Sequence, residues 1–165
     1  MKAKMSANPD PTPGAERDRV SWAPMTPDDL DEVMAIEQTA HSHPWTRGNF
    51  QDSLNPLFVA QCLRLDGELL GFFLAMHGVQ EMHLLNITVA PARQGQGWGR
   101  MMLEALSLLS RHAGAQWLWL EVRQSNWRAL QVYKRCGFQQ ISIRKDYYPA
   151  GRLQREHAVV MSLKP

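Results

Sequence analysis

Apolar and polar positions change their spacing repeatedly along the chain, and each change predicts an element. Residues 1–19, "MKAKMSANPDPTPGAERDR", carry three prolines and almost no large apolar side chain. They predict a disordered N-terminal extension, with order beginning near Val20. "VSWAPM" then reads as a short strand. Thr26-Pro27-Asp28-Asp29 has the chemistry of a helix start: a hydroxyl cap, a proline in the first turn and acids at the positive helix end. Leu30, Val33, Met34 and Ile36 supply the apolar stripe of that helix. "HSHPW" interrupts it, and Thr46 is placed to cap a second short helix through Phe50 and Leu54.

"LFVAQCLRL", the turn Asp66-Gly67 and "LLGFFLAM" read as a hairpin, and "EMHLLNITV" as a further strand after Gly78. Three or four strands are therefore expected to run antiparallel before the glycine-rich stretch "RQGQGWGRMM". Beyond it, Met102, Ala105, Leu106 and Leu109 recur at i, i+3, i+4, i+7, the spacing of an amphipathic helix, with Gly114 as its stop. "QWLWLEV" is almost continuously apolar and predicts a strand buried on both faces. Asn126 opens another helix, with Ala129, Val132, Tyr133 and Cys136 on one stripe and Gly137 at its end. "FQQISIRKDYYP" and "EHAVVMSL" close the chain as two strands around "AGR". The order β-α-α-β-β-β-α-β-α-β-β predicts a mixed α/β sandwich, with residues 20–165 as a single domain.

Composition narrows this only slightly. The 165 residues are 44% apolar and 21% charged, ordinary values for a soluble globular protein. Eighteen basic against sixteen acidic residues leave +2, with no dense Lys/Arg stripe to suggest nucleic acid. Cys62 and Cys136 show neither metal nor disulfide spacing, as expected of reduced thiols in a cytoplasmic protein. No apolar run approaches the roughly 18 residues a membrane span needs, and the N-terminus lacks a secretory apolar region. His41, His43, His77, His83, His112 and His157 form no H-E-x-x-H or Cys/His pattern, so no metal is expected.

The glycine-rich stretch carries the chemistry. A strand, a glycine turn and a helix follow one another. Unpaired N–H groups at a helix N-terminus, approached without a Cβ in the way, suit a phosphate or diphosphate. The loop alone also admits a turn that needs glycine only for bending. Gly99-Arg100-Met101 lacks the Gly-Lys-Ser/Thr ending of an NTP-binding loop. A dinucleotide fold remains an alternative, since Glu121 lies about 20 residues on. However, Arg100 stands where its third glycine belongs, and an antiparallel meander precedes the loop.

The remaining pattern is Q-x-x-G-x-G at Gln94, Gly97 and Gly99, with "NITVAP" ahead and "LEVRQSNWRALQVYKRCGF" behind. It resembles the acyl-CoA loop of the GNAT N-acetyltransferase superfamily, and in particular its RimI-type branch of ribosomal-protein alanine N-acetyltransferases. "EQTAHSHPWTRGNF" and "DYYP" extend the resemblance over roughly residues 20 to 163. It implies a GNAT fold: a mixed, mostly antiparallel sheet with a central splayed parallel strand pair, flanked by helices on both faces. It further implies acetyl-CoA as co-substrate, held by Ile87, Thr88 and Val89 along the splayed strand. Gly95, Gln96, Gly97, Trp98, Gly99 and Arg100 match its diphosphate turn. Asn126 matches a cofactor-contacting asparagine, and is also placed to cap the next helix. Gly95 stands where this family usually has Arg or Lys, and His157 where it often has an acid.

The resemblance assigns Glu121 as general base and Tyr133 as general acid to the CoA thiolate. Glu121 is also the first charge after "QWLWL", at the end of a strand expected to be buried. Freeing the lone pair of an α-amine of pKa near 8 costs about 1.4 kcal/mol at pH 7, against roughly 4.6 for a lysine, so an N-terminal substrate asks little of a base. Pro44 and Trp45 on one side, and Tyr147 and Tyr148 on the other, are implied as walls of a peptide groove. An electronegative groove would help bind a basic substrate; Glu37, Asp146 and Glu156 are candidates to contribute to it, with solvated surface charges as the alternative reading.

The resulting expectation is a cytoplasmic enzyme that acetylates the N-terminal alanine of a small-subunit ribosomal protein. Neither nucleic acid nor membrane is expected as a direct partner, and the chain is expected as a monomer or weak dimer. A broader GNAT acting on lysines or a small amine, a non-catalytic acyl-CoA-binding module and a nucleotide-binding regulator stand as alternatives.

Overall fold

A computed structural model describes residues 16–165. Most of the expected N-terminal extension, residues 1–15, lies outside them. The described chain opens with a turn, four residues before the boundary expected at Val20. Arg19 N–H donates to Glu16 O (3.1 Å), and the Arg19 guanidinium pairs with Asp66 at 2.7 Å.

The first four strands are β1 (Val20–Pro24), β2 (Phe58–Leu65), β3 (Glu68–Gly78) and β4 (Glu81–Val89). The last three are β5 (Trp117–Arg123), β6 (Gln139–Pro149) and β7 (Arg155–Leu163). They form one sheet in the order β1-β2-β3-β4-β5-β7-β6. Every neighbouring pair is antiparallel except β4 and β5, which run parallel. Among the described residues lie the helices α1 (Leu30–Ala40), α2 (Arg47–Asp52), α3 (Trp98–His112) and α4 (Trp127–Arg135).

The caps act where the sequence places them. The Asp29 carboxylate accepts from Thr26 N–H (2.8 Å), fixing a short 3-10 turn that leads into α1. Thr46 Oγ1 accepts from Asn49 N–H, and Asn49 Oδ1 accepts from Thr46 N–H in return. α2 ends at Asp52, two residues before Leu54.

Two cores sandwich the sheet. On one face, Trp98, Met102, Leu103 and Leu106 of α3 and Tyr133 of α4 pack on Leu63, Phe73, Leu118, Leu120 and Met161. On the other, Leu30 and Val33 of α1 and Phe50 of α2 pack on Cys62, Leu69, Phe72 and Leu74. β3 is the strand covered on both sides, with Leu69 through Ala75 all buried. β5 does not meet the expectation of two buried faces. Leu118, Leu120 and Val122 are buried beneath α3 and α4, whereas Trp117, Trp119, Glu121 and Arg123 are half-buried or exposed. α1 and α2 cover β2 to β4 and stop short of β5, so that face of the C-terminal strands stays open.

Candidate active site

The site begins where β4 and β5 part. Their parallel register runs from Glu81↔Trp117 to Leu84↔Leu120 and ends there. The next residue, Leu85, is a bulge: β3 pairs Ala75 with Leu84 and Leu74 with Asn86, leaving Leu85 unopposed. A bulge bends its strand and adds twist, so β4 swings away from β5 just as the pairing stops. From Glu121 to Arg123, β5 keeps only β7 as a neighbour. A wedge opens between main chains.

One rim of the wedge is the glycine loop. Gly95 and Gly97 have φ of +77° and +91°, which L side chains rarely adopt. Several of the loop's side chains are engaged by protein partners. Trp98 is buried, and its Nε1–H donates to Gln96 Oε1 (3.1 Å). Gln94 Nε2 donates to Val89 O (3.1 Å), tying the loop to the end of β4. Arg100 is engaged by Glu104 at 2.7 Å. Main chain and the N-terminal end of α3 make a cradle suited to a diphosphate. Of the residues expected beside it, Ile87 and Val89 are half-buried, Thr88 is buried, and Asn126 Oδ1 caps α4 through Ala129 N–H (3.1 Å).

On the open face, beside the wedge, lies a cleft of about 530 Å³. Trp45, His83, Trp119, Glu121, Tyr147 and Tyr148 are among its lining residues. It unites Glu121 with three of the four residues expected to form the groove; Pro44 is not in its wall. Glu121 keeps 26% of its side chain exposed and pairs with Arg144 Nη1 at 3.0 Å. The aim of Arg144 and the tyrosines is set by a second irregularity. Between Arg144↔Ala158 and Tyr148↔Glu156, three residues of β6 oppose one of β7. Asp146 sits there at φ +50°, and its N–H donates to His157 Nδ1 (3.0 Å). Arg155 braces the bulge by donating to the carbonyls of Asp146 and Tyr147. His157, the departure from the family pattern, is thus part of the support beneath the tyrosine pair.

The tyrosines stack edge to face, with centroids 4.9 Å apart, and Arg123 lies 4.5 Å over the Tyr148 ring. A hydrogen bond to Glu121 holds the Tyr147 phenol above its ordinary range, and burial pushes Tyr148 up to about 12. Trp119 Nε1 is buried without a partner among the described residues, a donor left over on the cleft wall. Tyr133 does not line the cleft. It is buried on the opposite face of the sheet, against Phe138 at 5.8 Å, and burial raises its phenol well above the usual value.

Glu37 overturns its expectation as a groove acid. It is 1% exposed, and Oε1 accepts from Trp45 N–H (2.9 Å) and Asn86 Nδ2 (3.2 Å). Thr88 Oγ1 joins the same cluster, 2.8 Å from His41 Nε2. The cluster binds α1, the "HSHPW" bend and β4 together, and so sets the position of Trp45. Glu156 is likewise engaged, by Ser125 N–H (2.6 Å) and Arg123, and the Ser125 hydrogen bonds hold its carboxyl below the usual range. A signal for Glu37 is present in the sequence, because it falls at i+7 from Leu30 and i+4 from Val33, on the buried stripe. Arg144 has no such signal, since its aim depends on the bulge. Among the described residues, no three His, Cys, Asp or Glu side chains cluster to hold a metal.

Residues 28–138 match the model of the acetyltransferase (GNAT) family. A ribosomal protein bS18-alanine N-acetyltransferase of Haemophilus influenzae is 37% identical over 134 residues, 81% of this chain and 91% of its own length. The enzyme of that name from Escherichia coli is 37% identical over 135 residues, 82% of this chain and 90% of its own length. The crystal structure of the Escherichia coli ribosomal-protein-S18-alanine N-acetyltransferase superposes with a TM-score of 0.81 at 35% identity, covering 87% of this chain and 92% of that one. The parted parallel strands, the glycine cradle and these likenesses agree: the chain belongs to the GNAT acetyltransferase family, in its RimI-type branch, and is an N-acetyltransferase.

Proposed function

We propose that this enzyme transfers an acetyl group from acetyl-CoA to the α-amine of a protein N-terminus, the N-terminal alanine of the small-subunit ribosomal protein bS18. The observation that carries this reading is the cleft in which Trp45, Tyr147 and Tyr148 surround Glu121 beside the parted strands. An aromatic-walled, half-open cleft on a sheet face suits an extended peptide end with its amine pointing inward. The substrate itself is taken from relatives that are named for acetylating bS18 alanine.

When bound, acetyl-CoA supplies an activated thioester. The chain's own groups supply position and protons. Main-chain groups of Ile87, Thr88 and Val89 hold the pantetheine arm in the wedge, and Gly95–Arg100 hold the diphosphate. Glu121, on the cleft side, takes the proton from the attacking amine directly or through one water. Tyr133, on the opposite face, holds a proton for the departing sulfur. Burial suits it to that role, because a raised pKa keeps the phenol protonated throughout the neutral range.

Steady-state rates with an Ala-Arg N-terminal peptide, a lysine peptide and a polyamine test the substrate class. The Ala-Arg peptide is expected to be turned over at least tenfold faster than either alternative. Mass spectrometry of intact ribosomal proteins from cells with and without the gene tests the target, and an unchanged bS18 mass would exclude it.

A further inference from the structure

The basic side chains of the glycine loop are already paired with acids. Arg100 is paired with Glu104 at 2.7 Å, and Arg93 with Glu68 at 2.8 Å. Gln94 donates to Val89 O, and Gln96 accepts from Trp98 Nε1–H. Main-chain amides and a helix end can orient phosphate oxygens, but a diphosphate brings two negative charges into the same small space.

A guanidinium arrives from another element. Were residue 95 to carry a Cβ, Arg128 Nη2 would lie 3.3 Å from it. Arg128 belongs to the first turn of α4, directly behind the Asn126 cap, so its backbone is held by the bond from Ala129 N–H to Asn126 Oδ1. It is exposed, and among the described residues it forms no salt bridge. Arg17 Nη2 comes as close to Gly97, at 3.2 Å from the corresponding point, but it hangs from the exposed opening turn. Of the two, Arg128 is the one carried by a capped helix.

We propose that Arg128 is a cofactor-binding residue, which grips the diphosphate of the acyl-CoA over Gly95 and supplies a positive charge from α4. The guanidinium fork matches two phosphate oxygens at once, and a Cβ at position 95 would crowd its Nη2. This rests on acetyl-CoA being the donor.

Calorimetric titration of acetyl-CoA and of 3′-dephospho-acetyl-CoA into wild type, Arg128→Ala and Arg128→Lys tests it, with melting curves of each protein to confirm the fold. Both ligands carry the diphosphate. R128A is expected to raise Kd about tenfold for each, or about 1.4 kcal/mol, and to flatten the salt dependence of binding. R128K is expected to recover part of the loss, as a point charge without the fork. Kd values within twofold of wild type overturn the proposal. So does a loss seen with acetyl-CoA but not its dephospho form, which would move Arg128 to the 3′-phosphate. Failure of wild type to take up acetyl-CoA would instead sink the donor assignment itself, a result distinct from normal uptake that R128A leaves unchanged.

Discussion

The two halves of the sheet are built to different standards. In β2 and β3, side chains from helices close over both faces, and β3 is buried from Leu69 to Ala75; the edge strand β1 is mostly exposed. In β5 only the α3/α4 face is closed, and along β6 all but one residue is exposed. Stability is concentrated on one side of the parted strands and access to chemistry on the other. The proposed base stands at the boundary, where Glu121 follows the last residue of β5 that pairs with β4.

Substitutions on the two sides separate these roles. Phe72→Ala, in the doubly covered half, is expected to have the largest effect on the fold, about 3–5 kcal/mol by chemical denaturation. The surviving folded fraction should keep its kcat. At the boundary, Tyr133→Phe and Glu121→Gln are each expected to cut kcat about 10²-fold or more while leaving acetyl-CoA affinity in place. Unchanged turnover in either variant would remove that residue from the chemistry.

The pH profile sharpens the same boundary. kcat/KM should rise with pH as the substrate amine, of pKa near 8, loses its proton. Because burial shifts Tyr133 upward, its protonated form persists, and no descending limb from this residue should appear below about pH 10. A fall before pH 9 that disappears in Y133F would contradict this. The smallest effect is expected on the open half. Trp117 is 44% exposed, with Trp119 at 6.2 Å as its aromatic neighbour, so Trp117→Ala should cost under about 1.5 kcal/mol and leave turnover alone.

Much of this plan is written locally in the chain. The Thr46 and Asn126 caps and the Asp66-Gly67 turn depend on neighbours within a few residues, and each forms as its local pattern predicts. The glycine turn is legible for the same reason. The helix α3 also forms, but its buried face runs through Trp98, Met102, Leu103 and Leu106, and Leu109 of the expected stripe is exposed. Coverage is not local. "QWLWLEV" looks like a strand buried on both sides, but whether Trp119 and Glu121 are covered depends on how far α1 and α2 reach across the sheet. Arg144 and Arg128 become visible only when a bulge in β6 and the start of α4 bring them to Glu121 and Gly95.

The extra residue at Leu85 exchanges the two sides of β4. Before it, Met82 and Leu84 belong to the α3/α4 core; after it, Ile87 and Val89 pack there while Asn86 and Thr88 meet Glu37. Simple alternation would have sent the asparagine and threonine into oil and the isoleucine and valine towards a carboxylate. Deleting this one leucine would therefore act like a frameshift within a strand, inverting the polarity of everything up to the cofactor loop. Length at this point is thus under tighter constraint than residue identity, and descendants of this chain can change the leucine far more freely than they can lose it.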